Sequence, residues 1–337
     1  MNSLSQVLTK ASDGLTRKCH KYRPARLTTR THVGPYIREY LRRLRLLSWN
    51  EREQRLRTLL RVYVFMTVYA IVSVSLPILI DPPGDGLFHS AVLRVLLVCC
   101  TIGLLIGAAI YLDKRPLEEY GLEPNRGWIF DLFAGLVIGG TIPTGSVLLG
   151  VAGGWITVGG TGYTLTAIFL RDVSLAVVII TGIAVVEELV FRGYVLTNAV
   201  EGMDLQWVSE TTTIATAWSV SALLFAIAHP APTLVAGLHF LSAGLLLGFA
   251  YLVSGQLGLP IGIHAGFNFV SGYVFPIASG SSVTIIALSV GGPAWLTGQT
   301  GLIQTGLQVL AALLIMGWVW FQTGHLGISP TIKSKLK

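Results

Sequence analysis

The 337 residues include 52% hydrophobic and only 12% charged side chains, with a mean hydropathy of +0.66. Soluble globular domains carry about 25% charged residues, so a large soluble domain is excluded and the chain reads as an all-α polytopic membrane protein. The net charge of +7 is lopsided, with fifteen Lys and Arg in residues 1–61 against Asp13, Glu39, Glu51 and Glu53.

Residues 1–61 read as a basic cytoplasmic tail. Beside a first span, that charge fits contact with anionic lipid better than nucleic acid. Within 36–61, Ile37, Leu41, Leu44 and Leu47 repeat at helical spacing with Arg38, Arg42, Arg43 and Arg45 between them, as in an interfacial amphipathic helix. The first span follows about 60 polar and basic residues, so no cleaved signal peptide is expected. Cys19, Cys99 and Cys100 have no disulfide or zinc-knuckle spacing and read as small hydrophobes.

The membrane domain is expected over 62–323, with about eight spans of the length that crosses about 30 Å of hydrocarbon. They fall near 62–80, ended by Asp81-Pro82-Pro83-Gly84-Asp85-Gly86, then 90–111 and 129–150. A Gly-rich connection from Gly153 to Gly162 follows. The remaining spans fall near 174–198, 212–229, 234–254, 259–277 and 302–321, and 324–337 forms a short basic tail. The positive-inside bias places both termini in the cytoplasm of an inner or plasma membrane, with Lys114, Arg115 and Arg126 on the same side. The loop around Glu201, Asp204 and Glu210 falls there too, without basic support. Small residues one turn apart at Gly103/Gly107, Gly135/Gly139, Gly244/Gly248 and Gly258/Gly262/Gly266 predict close helix approach.

From Thr211 to Thr331 there is no Asp, Glu, Lys or Arg. Polar groups retained in such a background mark a site, because they are costly in hydrocarbon. Glu188 and Arg192 lie four apart and meet on one helical face. Glu187 is offset by about 100°, which leaves it free for chemistry while its neighbours neutralise each other. Phe225 and His229 share a face of the fifth span, and Pro230 and Pro232 end the helix there. His264 and Asn268 share a face of the seventh, roughly opposite Gly262.

Two chemistries fit. Glu187 and His229 activate water while His264 and Asn268 donate to an oxyanion, or the histidines and a Glu bind zinc. The rival readings are a transporter or channel that uses the Glu/His cluster, and a non-catalytic immunity or partner protein on the same scaffold. No duplicated half supports a transporter. The span order puts His229 and His264 at different depths unless helices break or tilt, and Pro230 and Pro260 supply places to break.

Three ordered motifs carry a resemblance. They are Glu187-Glu188-Leu189-Val190-Phe191-Arg192-Gly193, Phe225-Ala226-Ile227-Ala228-His229 and His264-Ala265-Gly266-Phe267-Asn268. With their spacing and apolar setting, the chain resembles the CPBP intramembrane proteases, the CAAX-processing type II endopeptidase and bacteriocin-processing or abortive-infection family, over about 125–277. The resemblance implies Glu187 as the base and His229 as a holder of water. It implies His264 and Asn268 as the oxyanion pair, and Glu188 and Arg192 as supports beside the packing residue Phe225. It implies a glutamate mechanism with no cofactor and a membrane-associated, in some branches prenylated, protein or peptide substrate.

Overall fold

A computed structural model describes residues 35–80, 86–277 and 283–336. The expectations for residues 1–34, including Cys19, for the Asp81–Asp85 turn and for Lys337 lie outside the described residues. The chain divides into two units, Met1–Leu47 and Ser48–Lys337. The described part of the first is helix α1, Pro35–Ser48, on which Glu39 pairs with Arg43 at 3.1 Å. The helix expected within 36–61 stops at Ser48, because Trp49–Asn50 (β1) and Arg55–Leu56 (β2) form a small antiparallel hairpin, whose turn Asn50 braces.

The second unit is a helical bundle. Among the described residues, seven helices are long and apolar enough to cross a membrane: α2 Thr58–Leu79, α3 Gly86–Asp113, α4 Arg126–Ala152, α5 Ala167–Met203, α6 Glu210–Ile227, α7 Leu234–Ser254, and α9 Leu302–Thr323, the last counted with the preceding turn as Ala294–Thr323. Large apolar side chains such as Tyr63, Ile71, Phe133, Val137, Leu313 and Phe321 face outward. Exposure on this scale is the mark of a lipid-facing surface. The chain is a multi-pass integral membrane protein. Local sequence sets the helix ends. Asn125, Thr166, Ser209 and Thr233 accept the first free N–H groups of α4, α5, α6 and α7. Gly255 and Gly324 close α7 and α9 at φ 72°.

The seventh expected span, near 259–277, is the short α8, Gly258–Phe269, continued in π geometry over Val270–Val274. It is shorter than the other spans. Every residue from Gly258 to Gly266 is buried in the bundle, so it need not match the full apolar thickness as a lipid-facing helix must. It nevertheless joins the two ends of the bundle. Leu257 N–H bonds Gly121 C=O at one end, and Ile285 N–H bonds Tyr273 C=O at the other. The Gly-rich connection forms strand β3, Ile156–Thr161, paired antiparallel with β4, Ile286–Val290, at that second end.

The α4–α8 contact is backbone on backbone. A Cβ on Gly135, Gly139, Gly258, Gly262 or Gly266 would strike a main-chain carbonyl of the facing helix. A Cβ on Gly244 would meet Ala222, and one on Gly248 would meet the Trp218 indole. Gly103 and Gly107 differ from expectation. Nothing lies within 4 Å of either Cβ position, so that pair closes no contact in this chain. α9 is tied to α4 where Trp318 Nε1 and Gln322 Nε2 donate to the buried Asp131 Oδ1 at 2.8 and 2.9 Å.

Candidate functional site

The site is built where α5 leaves regular geometry. Glu187 and Glu188 end its α-helical part, and Leu189–Leu196 follow as a π-helical stretch buried throughout. Such insertions free main-chain groups and re-aim side chains. Ser221 Oγ, from α6, donates to Phe191 C=O at 2.8 Å within it. Glu187 lies fourteen residues before Glu201, about 20 Å along the helix.

Glu188 and Arg192 are both 0% exposed, and Arg192 Nη1 donates to Glu188 Oε1 at 2.9 Å. Arg192 Nη2 donates to Gly244 C=O at 3.1 Å, and its guanidinium lies over the Phe225 ring, 4.4 Å from the centroid. His264 Nδ1–H donates to the same Glu188 oxygen at 2.8 Å. The ion pair therefore holds the imidazole ring, and Nε2 faces Glu187 Oε2 at 3.9 Å.

His229 lies two residues past α6, which ends at Ile227 ahead of Pro230 and Pro232. A carbonyl only accepts, so its 2.8 Å bond to Phe225 C=O places a proton on His229 Nδ1. Nε2 then faces Glu187 Oε2 at 3.4 Å. Phe225 packs between the parts, 4.4 Å from the His229 ring and 6.1 Å from the His264 ring.

The expected difference in depth does not arise. α6 stops short of His229, α5 changes geometry after Glu188, and short α8 sits deep against α4. Both histidines thereby reach one carboxylate.

A cavity of about 280 Å³ joins these groups, and Glu187, His229, His264, Phe225 and Asn268 all line it. Glu187 is one-fifth exposed, in contrast to its sealed neighbour. Glu187 Oε2 has no hydrogen-bond partner. The cavity extends to Gln299 and Thr300, in the loop ahead of α9 at the β3–β4 end. The sequence expectations did not include the polar helix residues His239 on α7 and Gln308 on α9, which also line the cavity. The signal was present, since both are polar groups within the uncharged run and Gln304/Gln308 recur at one-turn spacing. Among the described residues, no group of three or more His, Cys, Asp or Glu side chains is arranged to hold a metal ion.

The fold and site together define a multi-pass membrane protein with a buried carboxylate–imidazole centre at the inner end of a cavity. Residues 170–270 match the family model of the type II CAAX prenyl endopeptidase Rce1-like proteins, so this part of the chain is similar to the CPBP CAAX proteases. The matched segment opens in α5 and closes just past α8, and it contains all three motifs with their seven candidate site residues. No curated protein and no solved structure shows significant similarity to the chain.

Proposed function

We propose that the protein is an intramembrane endopeptidase that hydrolyses a peptide bond of a membrane-associated or lipidated protein or peptide. The observation that carries this reading is Glu187. It is a partly accessible carboxylate with an unpartnered oxygen, met by two imidazole nitrogens, in a cavity that Asn268 also lines. The family match supports it. A water bound beside Glu187 and His229 in the cavity attacks the substrate carbonyl carbon, and Glu187 takes its proton. The tetrahedral oxyanion accepts hydrogen bonds from His264 Nε2–H and the Asn268 amide. An imidazolium donates through both nitrogens, so His264 serves Glu188 and the oxyanion together. Glu187 then passes the proton to the leaving nitrogen as the C–N bond breaks.

Glu187→Gln preserves shape and removes the base. Purified E187Q protein is expected to lose about 100-fold or more of its proteolytic rate, and His264→Ala or Asn268→Ala a similar factor through the lost donor. Proteoliposomes supplied with peptide pools and assayed in parallel for solute flux provide the check. Full proteolysis by E187Q would remove the assignment, and Glu187-dependent flux without cleavage would make the protein a transporter.

A further inference from the structure

The wall contributed by α7 and α9 carries polar groups that the proposed hydrolysis does not use. Gln308 is 5% exposed, lines the cavity, and its Oε1 has no partner. Its Nε2 lies 3.4 Å from His239 Nδ1. The Thr305 hydroxyl donates to Gly301 C=O at 2.9 Å, and Thr305 Oγ1 lies 3.1 Å from the same His239 nitrogen. One end of the Gln308 amide is thus engaged by His239, and Oε1 is the free end, able to accept an N–H. Gln304, one turn earlier, is 0% exposed with neither amide atom partnered.

Unpaired buried polar groups are costly, yet α9 holds them at Gln304 and Gln308 in a helix otherwise rich in Leu, Val and Ala. Apart from Gln299 and Thr300 at its outer end, the remaining lining is apolar, including Ile142, Ile183, Phe240, Leu246 and Phe267. Among the described residues, Glu187 is its one Asp, Glu, Lys or Arg side chain, so none of them brings a guanidinium or ammonium to the cavity to receive a substrate carboxylate. The free Gln308 oxygen is an acceptor, the complement of a peptide unit's N–H.

We infer that Gln308, backed by Gln304 and His239, forms a main-chain recognition subsite for an extended, uncharged peptide segment that lies across the cavity from Glu187. The inference rests on the endopeptidase reading for the identity of the cavity as a substrate site. It assigns Gln308 as a positioning residue and an internal apolar segment as the substrate class.

The test uses the full chain in nanodiscs with a quenched-fluorescent pool of uncharged peptides. The best member is then resynthesised with single backbone amide-to-ester replacements. Gln308→Met keeps length and removes both polar ends. It is expected to raise KM about three- to tenfold, the worth of one neutral hydrogen bond, with kcat within about twofold. One ester position that slows the wild type should leave Q308M unaffected. If Q308M fails to fold, Gln308→Glu, which keeps an acceptor oxygen at the same length, should retain the ester effect at that position. Ester effects that are equal in wild type and Q308M would overturn the subsite and leave the protease reading intact, with solvent as the partner of the free Gln308 oxygen. Binding of the same peptides to E187Q separates the two readings. Gln308-dependent binding without wild-type cleavage keeps the subsite and removes the protease, and binding that ignores Gln308 overturns the subsite.

Discussion

Glu187 and Glu188 are adjacent and chemically identical, yet their neighbours give them opposite tasks. Glu188 is sealed, with one oxygen shared by Arg192 and His264. Glu187 reaches the cavity and has no such commitment. A buried ion pair is weak evidence of net stabilisation, but removing one partner strands the other charge at a cost of about 3–5 kcal/mol. Arg192→Met should therefore destabilise the protein by that amount in denaturant unfolding. Combining it with Glu188→Gln, which removes the stranded charge, should recover part of the loss. A double variant that loses the full sum of the singles would show that the two side chains act independently.

At the scale of elements, the decisive feature is that α8 can lie deep because its glycines let it touch α4 backbone to backbone. Gly262 touches no motif side chain, yet a Cβ there would strike Leu132 C=O and come within 2.9 Å of Gly135 Cα. Gly262→Ala should push the helices apart at a cost of about 1–3 kcal/mol. It should also draw His264 off Glu188, so that turnover falls although no catalytic group has changed. Gly103→Ala meets open space. There the lower cost of ordering alanine in a helix should leave the protein unchanged or more stable by up to about 1 kcal/mol. Melting temperatures and cleavage rates of the two variants check the contrast, and equal effects would remove close packing as the cause.

At the scale of the whole molecule, one end of the bundle is held by ions. Arg61 donates to Asp113 Oδ1 at 2.6 Å, and Tyr120 OH to Asp113 Oδ2 at 2.5 Å. Glu201 takes Arg55, Arg115 and Arg61. Lys335 donates to Glu119 C=O at 2.6 Å, and Ser329 N–H to Leu252 C=O at 2.9 Å, so the C-terminal segment docks here. The acidic loop that lacked basic support in the sequence is thus joined to the arginines ahead of α2 and after α3. The β3–β4 pair and the loop at Gln299 and Thr300 lie at the other end. The positive-inside bias predicts a cytoplasmic ionic end and a cavity reached from the far side. In a cysteine-free background, a cysteine at Gly160 should react with an impermeant reagent on intact cells. One at Gln206 should react only after permeabilisation. The reverse pattern would invert the topology.

The sequence by itself determined the class of protein and the membership of the motif set. Charge scarcity and apolar length require buried backbone to be satisfied within helices, and few polar groups survive such a background unless they serve a purpose. The one-turn spacing of Glu188 and Arg192 was enough to predict their pairing, and Pro230 enough to end α6. Tertiary structure alone decided which groups meet. His229 and His264 are 35 residues apart and sit on separate helices. Their common reach to Glu187 depends on a π-helical stretch, a short buried helix and a glycine contact, none of which helical periodicity encodes. Gly103/Gly107 and Gly262/Gly266 read alike in one dimension, because what a missing Cβ permits depends on whether another helix stands opposite. His239 and Gln308 became visible as one wall only when α7 and α9 packed together. Polar groups on separate helices have no shared periodicity to announce them.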